Sequence, residues 1–153
     1  MINSGQNMMN GFNIKTGQLF ALTLFLILSS CGTNPEKSQQ LLDEGVEFYY
    51  HAQYADALNR FNNSIDENPE NFEAWFWLGN YYENNGKHTK AIELYGKAIK
   101  LNPNYADAFS NRAKAKKNFG DNKGACTDWR KAAELGKHNL DDNLKWCKRN
   151  GFK

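Results

Sequence analysis

Three prolines, three histidines and three cysteines are all that the chain's 153 residues contain, and each scarcity excludes a class of protein. With so few prolines and 14% aromatic residues, the chain does not read as disordered, because disordered chains lack the apolar surface needed to order themselves. His51, His88 and His138 stand far apart, with no His-x₃-His or Cys-x₂-Cys spacing near them, so neither zinc ligation nor a histidine-centred catalytic group is expected. No phosphate-cradling glycine loop is present. Gly86, Gly120 and Gly136 read as turn and cap residues, and Gly45 and Gly79 as small residues where helices cross. No enzymatic activity, metal or cofactor is therefore expected. At 17.5 kDa there is room for one ordinary domain.

The formal charge is only +2, but it is unevenly spread. Glu36 to Glu73 holds nine acids against Lys37 and Arg60, a net of −7, and Arg112 to Lys153 holds twelve bases against five acids, a net of +7. The reading is either solvated faces or oriented recognition of a charged partner. Residues 1–30 stand apart from the rest. A polar start carrying Lys15 leads into an apolar run from Leu19 to Leu28, too short for a comfortable span of about 20 residues and suited to a signal-peptide core. Met8 or Met9 serves as a start equally well. The run ends in Leu28, Ser29, Ser30 and Cys31, which resembles the bacterial lipobox. That resemblance implies cleavage before Cys31, lipid on its sulfur and amine, and an envelope location. Two or more acyl chains anchor stably where a single one is marginal. A plain signal peptide and an uncleaved anchor remain the alternatives. Gly32 follows the cysteine rather than Asp, which points to the outer membrane. Residues 31–37 read as a short tether.

Behind the tether, small and aromatic residues recur every 34 positions. Ala57, Ala91 and Ala125 keep this interval, as do Phe61, Tyr95 and Trp129, then Ser64, Ala98 and Ala132, then Gly45, Gly79 and Ala113; Pro69 and Pro103 repeat it. Within Phe72 to Tyr105, Ala74, Trp75, Leu78, Tyr81 and Tyr82 share one helix face, and Ala91, Ile92, Leu94, Tyr95, Ala98, Ile99 and Leu101 share another. Neither apolar stripe can be covered by a single hairpin partner. A period of this length, with an aromatic residue four positions after the second-helix alanine, resembles the tetratricopeptide repeat family. Trp75, Leu78, Gly79, Tyr82, Ala91, Tyr95, Ala98 and Pro103 stand at its signature positions. The resemblance implies an all-α, right-handed solenoid of three repeats, at 38–71, 72–105 and 106–136, closed by a capping helix and tail over 137–153.

The outer copies depart from the pattern. Glu44 stands where the family usually has Leu, and Phe109 and Arg112 replace Trp and Leu in the third repeat. Arg112 is expected to pair with Asp128 across the third hairpin. Leu140, Leu144 and Cys147, with Trp146 on the flank, are expected to cover the open end of the stack, with Asn139 or Asp141 capping the last helix. Cys126 and Cys147 lie symmetrically about Gly136 and Lys137. They are therefore either a disulfide across the last hairpin, outside the cytosol, or two small core residues.

The resemblance also implies a groove lined by the first helix of each repeat. Its candidate residues are Leu42, Val46, Tyr49, Phe76, Asn80, Glu83, Ser110, Lys114 and Lys117, with Gln39, Glu73 and Asp107 at equivalent places. Leu42, Val46, Tyr49 and Phe76 read as apolar anchors, Asn80 as a donor to a peptide backbone, and Lys114 and Lys117 as attractors of acids. Co-chaperone relatives clamp a terminal carboxylate with two Lys, two Asn and one Arg. Only Asn80 and Lys114 stand at comparable places here, so chaperone-tail binding is not expected. The function implied is a protein or peptide partner held at the bacterial envelope. Head-to-tail oligomers are the alternative, and a polyanion-binding role for the basic third, with nucleic acid as partner, is disfavoured.

Overall fold

A computed structural model of the chain describes residues 32–152. Cys31 and the segment before it lie outside the described residues, and with them the expected lipid attachment. Asn34 opens the first helix by accepting from the Lys37 backbone N–H at 3.0 Å, and Pro35 takes the first helical position, where its missing donor costs nothing. Residues 35–37, expected as tether, are thus already helical. The described residues form seven helices in order: α1 Pro35–Tyr50, α2 Tyr54–Glu67, α3 Phe72–Asn84, α4 His88–Leu101, α5 Ala106–Phe119, α6 Asn122–Glu134 and α7 Asp141–Arg149. Asn71 and Asp121 cap α3 and α6 in the same way, accepting from Ala74 and Gly124. Leu140 occupies the cap position of α7 and makes no side-chain cap bond, so neither Asn139 nor Asp141 caps that helix.

The helices pair as hairpins, α1 with α2, α3 with α4 and α5 with α6. The second helix of each hairpin then packs on the first helix of the next, while α1, α3 and α5 touch one another more lightly. α7 packs on α6. Among the described residues there is no strand, and no helix is long and apolar enough to cross a membrane.

The 34-residue interval has a direct steric meaning. A Cβ placed on Gly45 would lie 2.7 Å from the Phe61 ring, and one on Gly79 would lie 2.7 Å from the Tyr95 ring. The rings are fully buried, so these two hairpins close with the edge of an aromatic ring laid on bare helix backbone. The third copy uses Ala113 with Trp129 in the same buried cluster. The hairpin turns also repeat. Ala52, Gly86 and Gly120 occur at the same interval, and all three have positive φ, at 59°, 70° and 101°. Glycine adopts this conformation freely, whereas a residue with a Cβ is strained there by about 1–2 kcal/mol.

Two polar devices tie the ends. Ser38 and Ser64 are both buried, and each hydroxyl donates to the other's backbone carbonyl at 2.8 Å. Arg112 holds Asp128 with two hydrogen bonds of 2.8 Å, and Lys116 adds a third cationic contact at 2.8 Å. The acid is almost wholly buried, so the paired cations offset its desolvation. Cys126 and Cys147 form a disulfide with a Cα–Cα distance of 5.7 Å. It fixes α7 over α6, where Leu140 and Cys147 are buried with Trp129.

Two stability changes follow. Gly79→Ala gains about 1 kcal/mol of helix propensity but forces the Tyr95 ring out of contact, and such overpacking costs about 1–3 kcal/mol. A net loss near 1 kcal/mol is expected in a denaturant titration. Ala52→Gly removes the one strained turn of the three and is expected to raise stability by about 0.5–1 kcal/mol in the same measurement.

Candidate peptide-binding face

The residues expected to line the groove separate into two groups. Leu42 is only 1% exposed and packs with Ala57, Phe61, Ala74 and Leu78, so it belongs to the core. Phe76 is 7% exposed, with its ring 4.9 Å from that of Tyr105 and 5.8 Å from those of Tyr95 and Trp77. Both were expected as apolar anchors of the groove, and both are covered: Leu42 by Ala74 and Leu78 of the next repeat, Phe76 by the Trp77 and Tyr105 rings. Val46 is half-buried against the same core. Glu83 is buried as well, and its carboxylate is engaged on both oxygens, accepting from Asn118 Nδ2 at 2.6 Å and meeting His88 Nδ1 at 2.8 Å. It is a structural anchor between α3, α4 and α5 rather than an open contact point.

The polar residues remain reachable. Asn80 is half-buried, and its Oδ1 accepts from the Tyr95 hydroxyl at 2.7 Å and from Asn111 Nδ2 at 2.8 Å. Two donors on one oxygen fix which way the amide points. Its Nδ2 has no hydrogen-bond partner among the described residues and is left to donate. Tyr49 is half-buried, donates to the Asn80 backbone carbonyl at 3.4 Å and accepts from Asn84 Nδ2. Its ring meets those of Tyr54 and Trp77 edge-on at 5.6 Å. Ser110 is half-buried and Lys114 exposed on α5. Lys117 Nζ lies 4.6 Å from the Trp146 ring centre and 5.8 Å from that of Trp129, which draws it toward the α7 end of the face. At the equivalent places, Gln39 bonds to Asp43, and Asp107 pairs with Lys137.

Sequence reasoning missed Asn84, Asn111, Asn118 and the Tyr95 hydroxyl. Asn84 and Asn118 are themselves 34 residues apart, a signal that attention to small and apolar residues passed over. The resulting face is an amide-rich strip with a tyrosine at one end and lysines at the other. Such a strip can hydrogen-bond an extended backbone and attract acidic side chains. Among the described residues, no group of three or more His, Cys, Asp or Glu side chains could hold a metal ion.

Residues 42–115 match the profile of the tetratricopeptide repeat family. Those residues are similar to tetratricopeptide repeats. The first such domain of Spaghetti (RPAP3), solved bound to the HSP90 peptide SRMEEVD, is similar to this fold with a TM-score of 0.75 and 20% identity, covering 81% of this chain and 100% of that one. The Sgt2 domain from Aspergillus fumigatus gives a TM-score of 0.69 at 26% identity, covering 79% of this chain and 82% of that one. The peroxisomal targeting signal receptor of Kluyveromyces lactis is 29% identical over 76 residues, which is 50% of this chain and 13% of the receptor. The chain thus spans a small part of that relative's length. Tetratricopeptide domains generally mediate contacts with proteins and peptides, and this fold is typically an interaction scaffold rather than a catalytic one.

The Tyr95 phenol sits against this strip and is held protonated well above its ordinary value of 10.0, by burial first and by the nearby Glu83 charge second. Tyr105 is raised for the same leading reason. A proton held more tightly in the folded state stabilises the fold below the unfolded value, and that contribution is lost as pH rises above it. Urea midpoints are therefore expected to fall as pH climbs from about 9 to about 11, and Tyr95→Phe is expected to flatten that fall.

Proposed function

We propose that this protein is an interaction module that captures an extended, acid-bearing peptide segment of a partner protein along the strip from Tyr49 to Lys117. The observation that carries the reading is the fixed Asn80 amide, whose oxygen is occupied twice while its Nδ2 is left as a donor. A peptide carbonyl is the natural acceptor for such a group, and recognition through backbone amides tolerates many side chains. Lys114 and Lys117 beyond it supply the attraction for acids, and they raise encounter rate and selectivity more than affinity. Spaghetti's first domain holding SRMEEVD is a precedent on the same fold for such a ligand. The clamp set for a terminal carboxylate is incomplete here, so an internal segment is the better fit.

The second part of the proposal places the module at the bacterial envelope, probed by lipid on Cys31. Its support is the sequence ending in Leu28, Ser29, Ser30 and Cys31 together with the Cys126–Cys147 disulfide, since such bonds persist outside the cytosol. The lipid would hold the strip near the membrane surface, and the partner with it. Metabolic labelling with a fatty-acid analogue, lost in Cys31→Ser, is the check on that part.

For the strip, Asn80→Asp is the discriminating variant. The carboxylate keeps both accepted hydrogen bonds, loses the outward donor and adds a negative charge facing the acid-bearing segment. Partner capture from membranes by the full-length chain is expected to weaken about tenfold, the equivalent of one charge-sensitive hydrogen bond, with thermal stability little changed. Undiminished capture would remove Asn80 from the site.

A further inference from the structure

The two ends of the helical stack carry opposite charge in ordered stripes. On α1, Glu36, Asp43 and Glu47 are exposed and spaced by seven and four residues, which places them on one helix face. Among the described residues none of the three is in an ion pair, whereas Glu44 beside them is held by Arg60 at 3.1 Å. Tyr50 continues the stripe and is 73% exposed. On α7, Lys145, Lys148 and Arg149 are exposed on one face. They border a cleft of about 380 Å³ shared with Asp142. Beside it lies a second cleft of about 470 Å³, lined by Leu144, Cys147, Gly151 and Phe152, with Arg130 and Lys148 at its edge. Among the described residues α1 packs on α2 and α3, and α7 on α6 with its Trp146 ring near Lys117 of α5, so the stripes lie on the first and last helices of the stack.

We infer that the α7 end of one copy receives the α1 face of a second copy of this chain, giving head-to-tail association. The acidic stripe meets Lys145, Lys148 and Arg149, and the exposed Tyr50 ring lies against the apolar floor made by Leu144 and Phe152. A heterologous contact of this kind leaves a free acidic face and a free basic face on every pair, so association continues by addition at either end. The inference goes beyond capture of a peptide segment, because the surfaces involved are the ends of the stack and not the Asn80 strip. An unrelated acidic protein at α7 is the competing occupant. The chain's own α1 is favoured because it presents complementary charge without cationic partners and carries an exposed ring on the same stripe.

The test uses the full-length chain in detergent, prepared once with natural nitrogen and once with nitrogen-15, mixed and treated with a zero-length carboxylate–amine coupling reagent. Mixed-isotope links between peptides containing Asp43 or Glu47 and peptides containing Lys145 or Lys148 are expected. Self-association of the chain, read by light scattering in detergent, should weaken about tenfold with Lys145→Glu, Lys148→Glu and Arg149→Glu together, as loss of charge complementarity at a contact requires. It should recover when those copies are mixed with copies carrying Asp43→Lys and Glu47→Lys. Links confined to one isotope, or self-association indifferent to the reversals, would overturn the inference. Lys114→Glu separates the two proposals, since it should impair peptide capture and leave these links unchanged.

Discussion

The first two hairpins of this protein close because an aromatic ring rests on a stretch of helix that has no side chain, and the third sets a ring against an alanine. Phe61 on Gly45 and Tyr95 on Gly79 bring the paired helices closer than any Cβ would permit. Close approach is what removes these rings from water, and a buried aromatic side chain is among the largest single contributors to a small core. The same approach aligns alanines at the crossings, where Ala57, Ala74, Ala91, Ala98 and Ala108 are wholly buried. Spacing, turn and packing are therefore a single constraint. The interval of 34 residues is the length of chain needed to bring the next ring onto the next bare backbone.

Tyr95 carries that constraint into the candidate face. Its ring edge lies over Gly79, and its hydroxyl reaches Asn80, the neighbouring residue on α3. The core contact thus sets the position of the donor that orients the Asn80 amide. Phe61, the equivalent ring in the first repeat, has no hydroxyl, and Val46 stands where Asn80 does one repeat later. The pairing of a tyrosine with an asparagine in the middle repeat, and of a phenylalanine with a valine in the first, is chemically consistent in both cases. A buried phenol needs an acceptor, whereas an apolar ring does not. The middle repeat also receives Asn111 from α5, so its amide network spans two repeats.

The fold was largely legible because its determinants recur: one ring, one small residue and one turn per copy, repeated often enough to rise above chance. Arg112 with Asp128 was legible for the same reason, as an exchange of two apolar positions for a charged pair that must sit across one hairpin. The face was legible only in outline. Helical position says which way a Cα–Cβ bond points, but exposure depends on how large the neighbours are. Trp77 and Tyr105 belong to other positions of the pattern, and their bulk is what covers Phe76. Leu42 is lost to the core through Ala74 and Leu78 of the next repeat. Conversely, Asn84 and Asn118 read as ordinary polar ends of helices until their partners Tyr49 and Glu83 are seen beside them.

The charge distribution acquires a sharper meaning once these neighbours are in place. Acids along the stack are mostly held locally: Glu83 by hydrogen bonds with His88 and Asn118, Asp107 by Lys137, Asp128 by Arg112 and Lys116. On α5, Lys114 and Lys117 are exposed without an ion-pair partner among the described residues, as are Glu36, Asp43 and Glu47 on α1 and Lys148 and Arg149 on α7, whereas Lys145 meets Asp142 at 3.7 Å. Local pairing consumes charges at the hairpins, and those left over collect on α5 and on the first and last helices. Exposed ion pairs add little to stability, so unpaired charge at these places costs the fold little. It leaves a field that orients approaching molecules along the stack, acid-bearing ligands toward Lys114 and α7, basic ones toward α1.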